Sequence, residues 1–322
     1  MDSKSPSYRK TYTPEQLQVY YERIKLPQDL RDKNVSRIAR TKEGLLFLST
    51  LQKYQLAAVP FENLDLHYST HHSITLDPEH LFHKIVERNN GRGGYCMENS
   101  GLFATVLRSL GFDIMTTGAR VNEAIEPVSA KEGWAGPRYG GWNHMIILVA
   151  IEGMKYLVDV GNGSTGSVSP LPLIHAEISQ NIGPQEKRLV YESIPDLTDS
   201  SQKFWIYQHR NATDLPWIPT YCFQETEFLH NDYTVMNYYT STNRASFFTF
   251  HVICTKLIME DGVIVGNVTL FNGEVKKRIL GKTTVLAILT SEAERIEALE
   301  KYFGLRLSRA EREGIKGMVT EI

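Results

Sequence analysis

The chain has 322 residues, of which 42% are hydrophobic and 22% are charged, and its formal net charge is −2 at pH 7. These values are typical of a globular protein. Because Lys and Arg are scattered, they exclude the basic surface that binds nucleic acid or an anionic membrane. The length exceeds that of one ordinary domain, so two or three compact units are expected.

The first third of the chain carries the signals of helix starts. Thr13 to Gln16 reads as a capping box with proline at the first helical position, and Asp77-Pro78 repeats the order of cap and proline. Apolar residues then recur at helical spacing, first Leu45, Leu48 and Leu51, and later Leu81, Phe82, Ile85 and Val86. This part is therefore predicted to be helical.

A glycine-rich turn and a cysteine precede the next predicted helix. The stretch NNGRGGYCMENS, residues 89–100, places Cys96 at the first turn of a helix that ends at Gly111. A helix N-terminus stabilises a thiolate, and the glycines at 91, 93 and 94 let backbone N–H groups approach the sulfur. Glu98 opposes this effect unless a cation such as Arg92 neutralises it. Taken alone, a lone cysteine in a helix is more often a packed core residue.

Strands dominate from Phe112 onward. Residues 112–121, 144–151 and 154–160 read as strands, the last two as a hairpin around Glu152-Gly153. Residues 161–200, rich in Gly, Ser and Pro, are the least regular. The C-terminal third is predicted to form three strands and a final helix. The strands are residues 246–259, 263–271 and 274–280, and the helix runs from Ser291 to Gly304.

The hairpin brings a histidine near a carboxylate. With an even-numbered turn at residues 152–153, His144 faces Gly161, and Asp159 is a diagonal neighbour of His144 on the same sheet face. A three-residue turn with a bulge would break this parity. The pair has the geometry of a base and its orienting group, to which Cys96 would add the nucleophile. The alternatives are that Asp159 only caps the turn, or that the three residues bind zinc.

Other residues offer weaker signals. The three cysteines, Cys96, Cys222 and Cys254, form no even-numbered disulfide framework and no CxxC pair. The histidines at 67, 71 and 72 are predicted to lie on a solvated loop and not at a metal. The N-terminal residues lack the apolar segment of a secretory signal, and the longest apolar run, residues 145–151, is too short to span a bilayer. A cytoplasmic protein is therefore expected.

Four motifs agree in order and spacing with one known family. They are Arg92-Gly93-Gly94-Tyr95-Cys96-Met97-Glu98, Pro60-Phe61-Glu62-Asn63-Leu64, Asn143-His144 and Val158-Asp159-Val160-Gly161. With them, the whole chain closely resembles the arylamine N-acetyltransferases. The resemblance implies an α+β multidomain fold of the cysteine-triad acyltransferases. It would comprise an N-terminal helical bundle at residues 1–111, a central β-barrel at 112–225 and a C-terminal α/β lid at 226–322.

The resemblance also implies a reaction. Cys96, His144 and Asp159 would form a catalytic triad that takes an acyl group from acetyl-CoA or malonyl-CoA in a ping-pong reaction. The acceptor would be an arylamine, arylhydrazine or arylhydroxylamine, as in the detoxification of foreign compounds. Glu62 and Arg92 would pair beneath the site and hold the cysteine loop.

Two loops bear on the donor. Small residues at 161–167 offer N–H groups for the CoA pyrophosphate, so Gly161, Gly163, Ser164 and Thr165 are the expected contacts, with a flexible loop as the alternative. Residues 125–142 form a predicted loop that resembles fungal members, some of which use malonyl-CoA. No metal is expected.

Two other functions remain open from sequence. One is another Cys-His-Asp acyl transferase or hydrolase, such as a transglutaminase-like enzyme, which would share the triad order and lack the Pro-Phe-Glu-Asn motif. The other is a catalytically silent acyl-CoA-binding protein, for which the intact Cys96 would serve no purpose.

Overall fold

The structure is a computed structural model that describes residues 9–123 and 136–322. Its first third consists mainly of helices, two of which begin where the sequence predicts, because Thr13 and Asp77 cap backbone N–H groups ahead of Pro14 and Pro78. These helices are α1 (Pro14–Arg23), α2 (Gln28–Arg31), α3 (Val35–Ile38), α4 (Lys42–Ala58), α5 (Pro78–Phe82) and α6 (Cys96–Ser109). A π-helical turn, His83–Glu87, extends α5.

The α6 helix supports the cysteine loop from the core. Its C-terminal cap is Gly111, whose φ of 86° lies in the left-handed region, as predicted. Leu102, Phe103, Val106 and Leu107 on this helix are fully buried. Cys96 is therefore the first residue of a helix that is fixed by packing along its length.

The middle of the chain forms an eight-stranded antiparallel sheet. Its strands are β2 (Asp113–Asn122), β3 (Tyr139–Ile151), β4 (Met154–Val158), β5 (Leu171–Pro172), β6 (Ser179–Gln180), β7 (Glu186–Glu192), β8 (Phe204–Arg210) and β9 (Ile218–Phe223). The spatial order is β5-β4-β3-β2-β9-β8-β7-β6, which supplies the predicted barrel component with β5 and β6 at the two edges. The α+β fold class is confirmed.

The hairpin register is as predicted. Ile147 pairs with Val158 and Ile151 with Met154, around a two-residue turn in which Glu152 and Gly153 have positive φ. The ladder ends at Val158, so Asp159 lies just beyond the sheet.

The C-terminal third adds a five-stranded sheet in the order β1-β10-β11-β12-β13. The strands are β1 (Phe61–Glu62), β10 (Ile253–Glu260), β11 (Val263–Phe271), β12 (Glu274–Ile279) and β13 (Lys282–Ile288). The accompanying helices are α7 (His230–Thr242), α8 (Phe247–Phe250), α9 (Glu292–Ala298) and α10 (Arg309–Gly314), and a π-helical turn, Leu299–Phe303, continues α9 to Gly304. Because β1 comes from the helical third, the first and last parts of the chain share one sheet.

Several sequence predictions of secondary structure were wrong. Residues 247–250 form α8 and not the start of a strand, because Asn63 binds the carbonyl oxygens of Phe248 and His251 and turns the chain there. The segment predicted to be least regular, residues 161–200, contains β5, β6 and all of β7. In the predicted loop 125–142, residues 139–142 belong to β3, whereas 124–135 lie outside the described residues.

The described residues include no helix long and apolar enough to cross a membrane. The domain boundaries at 111 and 225 stay predictions.

Candidate active site

The structure brings the three predicted catalytic residues together. Cys96 starts α6 and is 3% exposed, His144 lies in β3, and Asp159 follows β4. His144 Nε2 lies 2.9 Å from Asp159 Oδ2. The other carboxylate oxygen, Oδ1, accepts a hydrogen bond from the Gly161 N–H at 2.8 Å. Asp159 therefore both orients the imidazole and caps the turn, so the predicted orienting role and the alternative of a turn cap are compatible.

The imidazole is buried between a carboxylate and the thiol. Burial alone would lower the pKa of His144. The charge of Asp159, its hydrogen bond and the hydrogen bond with Cys96 outweigh burial and raise this pKa to about 10. The sulfur itself lies 3.5 Å from the carbonyl oxygen of Asn143. The surroundings of His144 thus favour a proton on the imidazole, where it lies beside the sulfur.

Two neighbours of the triad were not found from the sequence. The ring of Tyr221 packs on His144 with centroids 5.0 Å apart. Gln52 Nε2 donates to the carbonyl oxygens of Asp159 at 3.2 Å and of Ser167 at 2.9 Å. Gln52 is fully buried among the leucines of α4, and a glutamine in an apolar stripe is the signal that could have indicated it.

A buried charge network lies behind the cysteine loop. Arg92, 1% exposed, donates to Glu62 at 2.9 Å, the pair that the resemblance implied, and also to Asp65 at 2.5 Å and Glu311 at 2.8 Å. Although burial opposes ionisation, the charges of Arg92 and Lys84 hold the pKa of both Glu62 and Asp65 below the usual range. Since α10 supplies Glu311, the network ties the last helix to this loop.

The cation that faces Glu98 is Lys84 and not Arg92. Lys84 Nζ lies 2.7 Å from Glu98 Oε1, whereas Glu98 Oε2 accepts the N–H of Tyr95 at 3.0 Å. Burial raises the pKa of Glu98 to about 7, since the charges of Asp65 and Glu62 add to it and Lys84 only partly offsets them. A cation therefore does face Glu98, as the sequence required, but it is Lys84, since Arg92 is bound by three other carboxylates.

Cys96 and His144 open onto a cavity of about 450 Å³. The predicted CoA contacts, Gly161, Gly163, Ser164 and Thr165, all line this cavity. Residues 163–165 form a 3-10 turn, so the segment has a defined local structure. The triad and the predicted donor loop therefore share one space.

One face of the C-terminal sheet forms the opposite wall. Direct cross-strand partners share a face, and Thr255 pairs with Thr269, which pairs with Lys276. This row and its neighbours on the same face line the cavity: Ile253, Thr255, Thr269, Phe271, Glu274 and Lys276. Phe61, Phe247 and Phe248 complete an aromatic wall with Phe271.

The reading of His67 as part of a solvated loop is wrong. His67 is fully buried, its Nδ1 lies 3.0 Å from Thr320 Oγ1, and its Nε2 lies 3.0 Å from the carbonyl oxygen of Phe248. Burial lowers its pKa to about 4. Within residues 9–123 and 136–322, no group of three or more His, Cys, Asp or Glu side chains is placed to hold a metal ion.

The other two cysteines are core residues. Cys222 and Cys254 are fully buried, and burial raises the pKa of the Cys222 thiol to about 12 and that of Cys254 well above its usual value. Cys96 differs from both because it lines the cavity.

The fold is that of the arylamine N-acetyltransferases. The enzyme from Mycobacterium abscessus superposes with a TM-score of 0.75 at 22% identity, over 95% of each chain. The Mycobacterium marinum enzyme, solved in complex with CoA, gives a TM-score of 0.73 at 24% identity over 94% of this chain and 98% of that one.

Sequence comparison defines the family. A profile of the N-acetyltransferase family matches residues 45–312. The N-malonyltransferase FDB2 of Fusarium pseudograminearum is 42% identical over 94% of this chain and 92% of its own length. The arylamine N-acetyltransferase / N-hydroxyarylamine O-acetyltransferase of Salmonella typhimurium is 30% identical over 80% and 81%. The chain belongs to the arylamine N-acetyltransferase family, and it is an acyltransferase that acts on an amine.

Proposed function

We propose that the protein transfers an acyl group from acyl-CoA to an arylamine, arylhydrazine or arylhydroxylamine through a thioester on Cys96. The observation that carries the proposal is the meeting of Cys96, His144 and Asp159 at one cavity, with 2.9 Å between His144 Nε2 and Asp159 Oδ2. A silent binding protein would not require this arrangement.

In the first half-reaction, Cys96 is acylated. Because Nε2 of His144 faces Asp159, Nδ1 takes the thiol proton, and the sulfur attacks the thioester carbon of acyl-CoA. The N–H of Cys96 stabilises the oxyanion in this step, since α6 begins at Cys96 and a helix N-terminus leaves its first N–H groups without partners inside the helix. CoA then leaves as the thiol and takes the proton from the imidazolium.

In the second half-reaction, the neutral arylamine attacks the acyl carbon. His144 accepts the proton of the amine and returns it to the sulfur as the C–S bond breaks. The raised pKa of His144 favours storage of this proton. The phenylalanine wall fits the planar ring of the acceptor by stacking or edge contacts.

The donor contacts follow from the loop. Gly161 and residues 163–165 line the cavity, and the backbone N–H groups and hydroxyls of residues 163–165 suit the pyrophosphate of CoA. The C-terminal sheet, as a lid, covers the opposite side of the donor. Glu62 and Arg92 hold the cysteine loop from behind.

Malonyl-CoA is the donor that we propose. The support is the similarity to N-malonyltransferase FDB2, 42% identical over 94% of this chain, against 30% over 80% for the Salmonella acetyltransferase. The role would be detoxification of aromatic amines in the cytoplasm. Three buried, free cysteines are consistent with a reducing compartment.

Intact mass spectrometry tests the proposal. The protein is mixed with malonyl-CoA or acetyl-CoA without amine, and we expect a mass gain of one acyl group, faster with malonyl-CoA and lost in Cys96→Ala. Addition of an arylamine should discharge the adduct. An acyl-enzyme that water but not amine discharges would favour a hydrolase, and the lack of an adduct with either donor would refute acyl transfer through Cys96.

A further inference from the structure

Lys187 is a buried lysine, and its hydrogen bonds within the described residues go to neutral oxygens. It lies on β7 and is 1% exposed. Its ammonium donates to Ser167 Oγ at 2.7 Å, to Ser169 Oγ at 2.7 Å and to the carbonyl oxygen of Ser169 at 3.3 Å. Burial lowers its pKa to about 7, and the charge of Lys53 adds to the effect. Burial of an ammonium group costs free energy unless its N–H donors are all hydrogen-bonded.

The two serines end the segment that begins at the triad. The segment, residues 161–169, is fixed at its start by the bond from the Gly161 N–H to Asp159. Gln52 joins the two ends, since it donates to the carbonyl oxygens of both Asp159 and Ser167.

A further side chain holds the middle of the segment. Asn181 accepts the N–H of Val168 at 3.0 Å and donates to the carbonyl oxygen of Gly166 at 3.0 Å. Lys187 adds hydrogen bonds to both serines at the far end, and it is not among the residues that line the cavity with Gly161 and residues 163–165.

We propose that Lys187 is a positioning residue for the acyl-CoA donor, which holds residues 161–169 in the shape that lets residues 163–165 contact the donor in the cavity. This inference rests on the proposed function of that loop. Lys187 acts through the loop and not on the reacting atoms, so its loss should weaken binding of the CoA moiety and leave the chemistry at Cys96 intact.

Two acyl donors separate these effects. Malonyl-CoA and acetyl-CoA need the loop, whereas p-nitrophenyl acetate carries no CoA and needs only the triad. In Lys187→Met we expect the KM for acyl-CoA to rise about 10- to 100-fold, as for loss of hydrogen bonds from a charged group. The rate of acylation by p-nitrophenyl acetate and its discharge by arylamine should stay within about 2-fold of wild type.

A milder variant and a matched control distinguish the loss of loop positioning from a general folding defect. Ser169→Ala removes one side-chain acceptor and should raise the KM for acyl-CoA in the same direction by a smaller factor. Lys203→Met changes an exposed lysine and should leave both donors unaffected.

The inference would be overturned if Ser169→Ala and Lys187→Met lost equal activity with acyl-CoA and with p-nitrophenyl acetate. An unchanged KM for acyl-CoA would overturn it as well. If wild-type protein reacts with p-nitrophenyl acetate and not with either acyl-CoA, the proposed function fails instead.

Discussion

Asp159 uses both carboxylate oxygens, and this double use links the triad to the donor loop. One oxygen orients His144, and the other accepts the N–H of Gly161, where the loop begins. The carboxylate that orients His144 therefore also fixes the first residue of the loop.

The raised pKa of His144 predicts a pH-dependent contribution to stability. A folded-state pKa of about 10, against an ordinary value of about 6.5, means that the folded protein holds this proton more tightly. The contribution is fully present below about pH 6.5 and is lost as the pH rises through 10. Urea denaturation from pH 6 to 10 should show the unfolding free energy of wild type falling more steeply than that of His144→Gln. Parallel curves would contradict the prediction.

Gly161 is required by close packing. A Cβ at this position would lie 2.7 Å from Cys96 Cα and 2.9 Å from the Cys96 carbonyl oxygen, which are backbone atoms that cannot rotate away. Gly161→Ala should lower the unfolding free energy by about 1–3 kcal/mol. It should also slow acylation of Cys96 by at least about 10-fold, because the sulfur is displaced.

The control is Gly141→Ala, where an added Cβ meets nothing within 4 Å. Equal stability and acylation rate in the two variants would show that the close approach of Gly161 does not matter.

At the scale of elements, the start of α6 is fixed by charges that come from distant parts of the chain. Arg92 and Glu98 flank the cysteine. Their partners are Glu62 in β1, Lys84 in the π-helical turn after α5, and Glu311 in α10. The network orders the loop on which Cys96 lies.

Removal of Arg92 should be strongly destabilising. Arg92→Met leaves three carboxylates without their shared cation, and loss of one partner of a buried ion pair costs about 3–5 kcal/mol. Lys33→Met removes an exposed pair, Lys33 and Glu43 at 2.7 Å, and should cost less than about 1 kcal/mol. Urea denaturation measures both, and equal losses would contradict a structural role for the network.

The hairpin shows what sequence could predict. Its register follows from a two-residue turn and alternating side chains, both of which are local, so the nearness of His144 and Asp159 could be expected. Lys84, Gln52 and Lys187 could not be assigned, since no local turn or strand register fixes their partners, which depend on the assembled core. The β13 strand was also missed. The turn before it places Leu280 at a φ of 46°, a conformation that leucine rarely adopts, so the sequence does not indicate a turn there.

At the scale of the whole molecule, the cavity needs all three parts of the chain. The helical third gives Cys96, the eight-stranded sheet gives His144, and the five-stranded sheet closes the cavity with Thr255 and Lys276. Because β1 pairs with β10, the closing sheet is joined directly to the segment that carries Glu62. The triad and the closing wall therefore form as one unit.

Lys276 is the one Lys or Arg among the described residues that line this cavity, where it pairs with Glu274 at 2.5 Å, and its position predicts which part of the donor it meets. It lies three strands from Phe61, so at about 4.8 Å per strand it is about 14 Å along the sheet from β1, which pairs with the cysteine loop. That distance suits the phosphates of CoA and not the carboxylate of a malonyl group. Lys276→Met should raise the KM for malonyl-CoA and acetyl-CoA by equal factors, roughly 3- to 10-fold.

Steady-state kinetics with both donors measure these factors, with exposed Lys282→Met as the control. A loss confined to malonyl-CoA would instead assign Lys276 to the malonyl carboxylate and contradict the geometric argument.

In the proposed reaction, Cys96 carries the acyl group as a thioester. Peptide mapping by tandem mass spectrometry, after brief exposure of the protein to malonyl-CoA and an acid quench, locates that group directly. We predict the acyl group on the peptide that contains Cys96, retained in Cys222→Ala and Cys254→Ala and lost in Cys96→Ala. An acyl group on any other residue, or none on the peptide of Cys96 with either donor, would contradict the account.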